Sequence, residues 1–94
     1  MATKGRIVTY AFHLPAGTWF PAHTHETAAR VFVLKGALLL GEGASADHAK
    51  SRRIPAGQAV FVPAGLAHYE GAEEDTVIVG VAEGPWTTHI IGKP

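Results

Sequence analysis

The chain has no cysteine among its 94 residues, which excludes disulfides, thiolate metal ligands and cysteine nucleophiles together. Any metal must therefore be held by nitrogen and oxygen. Charge is scarce as well: 17% of residues are charged, and eight Lys and Arg balance eight Asp and Glu. With no basic surplus there is no counterion release to drive nucleic-acid binding and no polybasic block to face a membrane. The longest apolar runs, Val31 to Leu34 and Val77 to Val81, fall far short of the ~20 residues that span a bilayer. No window carries a sustained helical period with caps. Ala44 to Lys50, short, polar and glycine-flanked, reads as the longest loop with room for one helical turn. The opening stretch Met1 to Arg6 has two positive charges and no long apolar core behind it, so no signal peptide is legible. Bacterial cytoplasm, or export after cleavage of a leader outside this sequence, suits the composition equally.

What is present is a chain rich enough in apolar residues, 47%, to bury a core, and short enough to hold one domain over residues 1–94. The tripeptide Pro-Ala-Gly occurs at Pro15 to Gly17, Pro55 to Gly57 and Pro63 to Gly65. Proline presets φ for the first corner of a turn and glycine accepts positive φ after it, so each tripeptide predicts a tight reversal. Between and around these turns lie short runs rich in β-branched and aromatic residues: Arg6 to Leu14, Thr18 to His23, Arg30 to Lys35, Ala37 to Gly41, Ala59 to Val62, Asp75 to Ala82 and Trp86 to Ile91. Short strands at this spacing predict an all-β sandwich or barrel of antiparallel sheets. The edges of so small a barrel are a liability, and pairing through the first or last strand predicts a homodimer.

His23 and His25 are two residues apart, so on a strand both rings point to one face with their backbones roughly 7 Å apart and can share a metal. The pair has a frame. Five residues separate Gly17 from His23, and Gly36 closes the following strand. Later, Gly57, Pro63, Gly65 and His68 run in the order Gly, five residues, Pro, one residue, Gly, two residues, His. In these two segments the sequence resembles the cupin family, whose motifs run G-x5-H-x-H-x3,4-E-x6-G and G-x5-P-x-G-x2-H-x3-N. The resemblance spans Gly17 to Ala72 and implies a single-domain cupin jelly-roll barrel of antiparallel strands, with His23, His25 and His68 as ligands of one metal ion per chain.

Two positions depart from the family pattern. Where it carries a carboxylate ligand, this chain has Ala29 or Arg30, and its final asparagine is Ala72. Glu26, adjacent to His25, should point to the opposite face. Three imidazoles without a carboxylate suit Cu first, with Fe or Zn as rivals, and leave coordination positions open to water, dioxygen or substrate. Trp19 shares strand parity with His23 and His25 and so should face the same cavity, and Tyr69, directly after His68, is the candidate catalytic residue. His13 and His89 read as packed or exposed residues and not as ligands, with a hydrogen bond behind the ligands open to either, while His48 should be solvated. The resemblance extends to compact copper cupins that oxidise polysaccharide such as cellulose. It implies oxidation of a carbohydrate or other small organic substrate with oxygen or peroxide. A non-catalytic cupin that binds a sugar or small molecule is the alternative, and a sugar isomerase would need a general base for which Tyr69 is the nominee.

Overall fold

The computed structural model describes residues 7–84 and 86–92. Arg6, Pro85 and the opening stretch in which a leader was sought lie outside them. Among the described residues ten strands follow one another: β1 (Ile7–Leu14), β2 (Thr18–Trp19), β3 (His23–Thr24), β4 (Ala29–Lys35), β5 (Ala37–Glu42), β6 (Arg52–Pro55), β7 (Ala59–Val62), β8 (His68–Ala72), β9 (Thr76–Glu83) and β10 (His89–Ile90). They form two antiparallel sheets, one in the order β1-β9-β4-β7 and one in the order β10-β3-β8-β5-β6, with β2 also paired to β8. This is the all-β jelly-roll arrangement expected from the sequence. Among the described residues no helix is long and apolar enough to cross a membrane.

All three Pro-Ala-Gly tripeptides are turns, and Gly17, Gly57 and Gly65 take positive φ of 84°, 90° and 76°, where a side chain would be strained. The segment Ala44 to Lys50 holds a single 3-10 turn at His48–Lys50, capped by the Asp47 side chain accepting from the Ala49 N–H. Two strands were not legible as runs. β6 is short and begins on two arginines, and β8 reads His-Tyr-Glu-Gly-Ala, with no β-branched residue. The expected strand from Thr18 to His23 is broken into β2 and β3 at Phe20 to Ala22.

The core lies between the sheets and is built from Leu14, Val31, Val33, Leu38, Leu40, Ile54, Val62, Ala72 and Ile78. Each Val, Leu or Ile side chain among them stabilises the fold by ~1.5–3 kcal/mol on removal from water. Along β8 the inward residues run His68, Glu70, Ala72, and only the last joins this core; along β1 they end with Leu14 in the core, while Tyr10 and Phe12 line a cavity. The barrel is therefore filled with aliphatic residues at one end and lined with polar and aromatic ones at the other.

Three strand glycines each oppose an aromatic residue across the ladder: Tyr10 pairs with Gly80, Tyr69 with Gly41 and Trp19 with Gly71. A Cβ on any of these glycines would overlap the ring of its partner. The aromatic lies flat over the bare backbone, and the pairing fixes which way each ring is turned. Tyr10 is thereby laid along the inner face, whereas Tyr69 and Trp19 are laid away from it. Gly41→Ala is expected to lower unfolding stability by ~1–3 kcal/mol through this overlap, read as a lower midpoint in urea. Adding Tyr69→Leu removes the clash, so the double variant should lose less than the two single losses combined.

Candidate metal centre

β3 and β8 are antiparallel neighbours in which His23 lies directly opposite His68. His25 follows two residues after His23, and its carbonyl accepts from the Gly65 N–H at 2.9 Å, which ties the end of β3 to the turn before β8. The three rings converge, with centroid separations of 4.8 Å (His23 to His25), 4.3 Å (His23 to His68) and 5.2 Å (His25 to His68). One ligating atom from each lies within 4.8 Å of the others. All three residues are largely withdrawn from solvent, with His68 2% exposed. The grouping expected from two separate sequence segments is thus assembled in space.

The hydrogen bonds behind the rings decide what they offer. Nδ1 of His23 lies 2.7 Å from the Pro21 carbonyl, Nδ1 of His25 lies 2.8 Å from that of Thr87, and Nδ1 of His68 lies 2.9 Å from that of Leu66. A carbonyl can only accept, so Nδ1 carries the proton in each ring and the neutral form leaves a lone pair on Nε2. Three unprotonated Nε2 atoms facing one volume are an arrangement that fits a transition-metal ion. At bonds of ~2.1 Å two donors stand at most ~4.2 Å apart, so the group closes by several tenths of an ångström around an ion. Small ring rotations supply that movement.

A carboxylate stands in the same group. Glu70 Oε1 is 3.7 Å from His23 Nε2 and 3.6 Å from His68 Nε2. It was not singled out in the sequence, although the signal was available: His68 and Glu70 are two apart, as His23 and His25 are, and the same alternation argument applies once His68 to Ala72 is seen to be a strand. Burial lowers the pKa of His25, opposed by the Thr87 carbonyl and reinforced by repulsion from the other two rings. At His68 burial also acts to lower it, but the Glu70 carboxylate and the Leu66 carbonyl outweigh that and the net shift is upward.

A cavity of about 230 Å³ opens over the group. Its walls include Phe12, Phe20, Pro21, Trp86 and Ile90, together with His23, His25 and Glu70. Trp86 stacks on His25 with centroids 4.1 Å apart and planes at 25°, and Tyr10 follows at 4.9 Å from Trp86. The Tyr10 hydroxyl is pushed up to about 12, first by burial and then by the charge of Glu70. It stays protonated at neutral pH and available as a donor.

Several sequence-based assignments change place. Tyr69 follows His68 but faces the other way: it is buried over Gly41, and its hydroxyl donates to the Asp47 carbonyl at 2.7 Å. It packs the loop before β6 and reaches neither the three imidazoles nor the cavity that His23 and His25 share with Trp86. Trp19 does not share the cavity either. β2 ends before β3 begins, which breaks the parity on which the expectation rested, and the indole stacks on His48 with centroids 3.6 Å apart. The aromatic wall comes instead from Tyr10, Phe12, Phe20 and Trp86. His13 is exposed beside Asp75 and His89 is exposed beside Glu26, at 4.0 Å and 3.3 Å, so neither supports a ligand. Glu26 points away from the centre, as its adjacency to His25 implied.

Residues 2–87 match the family described as the ChrR cupin-like domain. Among solved structures the chain is similar to the DMSP lyase DddQ from Ruegeria pomeroyi DSS-3, at 21% identity over 95% of this chain and 44% of that one, with a TM-score of 0.76. It is similar to an oxalate oxidase at 23% identity over 90% and 46%, with a TM-score of 0.75, and to the polyketide cyclase RemF from Streptomyces resistomycificus at 22% over 94% and 62%, with a TM-score of 0.76. The chain therefore spans less than half the length of the lyase and the oxidase, and at these identities the likeness carries the fold alone. No curated protein matches in sequence.

Because a proton on His68 competes with a metal, affinity is expected to rise with pH through the raised pKa of that ring, above the range in which His25, its pKa lowered by burial, loses its proton. Zinc titration against a chelator between pH 5 and 8 measures this. Tyr69→Phe should cost ~1 kcal/mol of stability from the lost hydrogen bond and leave metal affinity unchanged, whereas His68→Ala should abolish stoichiometric binding.

Proposed function

The chain belongs to the ChrR cupin-like domain family, and from that premise we propose that it is a metal-dependent oxidoreductase acting on a small organic molecule. His23, His25 and His68 hold the ion. The single observation that carries this reading is that each of the three rings gives its Nδ1 proton to a backbone carbonyl, leaving three Nε2 lone pairs directed at one buried point beside a cavity. Such a set favours copper, with iron and zinc as rivals. When bound, a copper or iron ion supplies one-electron chemistry and positions that dioxygen or peroxide can occupy.

The residues of the chain do the rest. Trp86 braces His25, the aliphatic and aromatic wall keeps bulk water from the ion, and Tyr10 offers a hydroxyl proton close to the Glu70 charge. The cavity is small beside the ~300–1,000 Å³ of typical ligand sites, and its lining is mostly apolar. Both features support a compact substrate with an apolar face. A carbohydrate ring, including a chain end of cellulose, would have to bind by stacking on Trp86 and Phe20. A homodimer accords with the outer face of the sheet β1-β9-β4-β7, where Phe32, Leu34 and Phe61 are exposed.

The alternative is a non-catalytic cupin that binds a small molecule or sugar, and Ala29 at the family's carboxylate position favours it. Elemental analysis of protein purified without added metal, followed by electron paramagnetic resonance with one equivalent of Cu(II), separates the two. Near-stoichiometric metal, nitrogen coupling and turnover of carbohydrates or small phenols that is lost in His68→Ala are the expected results. Loosely held copper without defined nitrogen coupling would establish the binding role instead. Trp86→Ala should weaken substrate affinity by about tenfold through lost stacking while metal content stays at the parent level.

A further inference from the structure

We propose that Glu70 is the fourth protein donor of the centre, a carboxylate supplied from β8, the strand of His68, instead of from β4. The inference rests on the reading that the three histidines hold a metal. It concerns a residue that the family's motif does not designate.

The geometry argues first. A single oxygen, Oε1, lies 3.7 Å from one Nε2 and 3.6 Å from another. These separations exceed a hydrogen bond but match the ~3.4 Å between donors arranged tetrahedrally at ~2.1 Å from an ion. The side chain is also positioned to act there: it is 16% exposed, and Glu70 and His68 project from the same face of β8. Electrostatics argues second. With Nδ1 bonded to a carbonyl on both rings, each neutral ring presents an Nε2 lone pair, so a carboxylate oxygen facing both needs positive charge among them, and one metal ion supplies it to both rings at once where a proton on His68 serves only one.

The place vacated on β4 argues third. Ala29 is 3% exposed and borders a small void of about 20 Å³ shared with His25, His68 and Glu70. That volume is enough for one water. Position 29 therefore faces the centre and carries no donor, while Glu70 borders the same void from the opposite sheet. It also lines the larger cavity above the centre. The donor set becomes three nitrogens and one oxygen. A carboxylate widens tolerance toward Fe(II) and Mn(II), which three imidazoles alone bind poorly against copper and zinc.

The test compares full-length parent, Glu70→Gln and the double variant Ala29→Glu with Glu70→Gln. Circular dichroism confirms that each is folded. Mn(II) and Zn(II) are titrated against chelators and Cu(II) spectra are recorded by electron paramagnetic resonance. Glu70→Gln is expected to lose tenfold or more in Mn(II) affinity and to shift the copper g and hyperfine values while keeping the nitrogen coupling. The double variant should regain part of the Mn(II) affinity, a result that a merely positioning role for Glu70 would not give. Parent affinities and an unchanged copper spectrum in Glu70→Gln would overturn the assignment and leave the three-histidine site standing. Absence of metal binding by the parent would overturn both.

Discussion

Everything distinctive about the barrel's polar end depends on three hydrogen bonds from imidazole Nδ1 to the carbonyls of Pro21, Thr87 and Leu66. Each acceptor is backbone, so the tautomer is imposed by the path of the chain and not by a side chain that could be lost. Two acceptors lie two residues before their histidines; the third, Thr87, lies 62 residues from His25. The segment after β9 must therefore return across the mouth of the barrel to complete the centre. The pairing of β10 with β3 holds it there, setting His89 against Thr24 and Ile90 against His23. That same return delivers Trp86 onto the face of His25.

The division of labour between the two barrel ends follows from where bulk is placed. At the filled end, aliphatic side chains interdigitate and Thr76, fully buried, exchanges hydrogen bonds with the Ala37 backbone through its hydroxyl, as donor to the carbonyl and acceptor from the N–H. At the open end the same inward positions carry histidine, glutamate and aromatic rings. The glycine–aromatic pairs sort the large rings between these environments. Tyr10 over Gly80 contributes to the cavity wall, whereas Tyr69 over Gly41 and Trp19 over Gly71 pack the opposite face of the second sheet.

The legible parts of the sequence were those in which a local rule has one geometric consequence. Pro-Ala-Gly turns need positive φ at glycine, and strands such as Ala59 to Val62 announce themselves by β-branched and aromatic residues. His23 and His25, two apart, share a face whatever the rest of the chain does. Errors arose where a local rule was carried across an unseen break. Trp19 was placed with the histidines by counting through Phe20 to Ala22, where strand alternation stops. Tyr69 was placed with His68 because the two are adjacent, although alternation itself sends neighbours to opposite faces. Glu70 was passed over because β8 lacks the composition of a strand, so the alternation that would have found it was not applied.

By itself the sequence determined the all-β barrel, the turns and the identity of three imidazoles able to meet, because turn chemistry and alternation act over a few residues. Tertiary structure alone decided which nitrogen each ring presents, which aromatic residues form the cavity wall and that a carboxylate from β8 faces the centre. Those choices depend on carbonyls, ladder partners and cavity walls that are distant along the chain. Their positions are fixed only when both sheets are formed and packed.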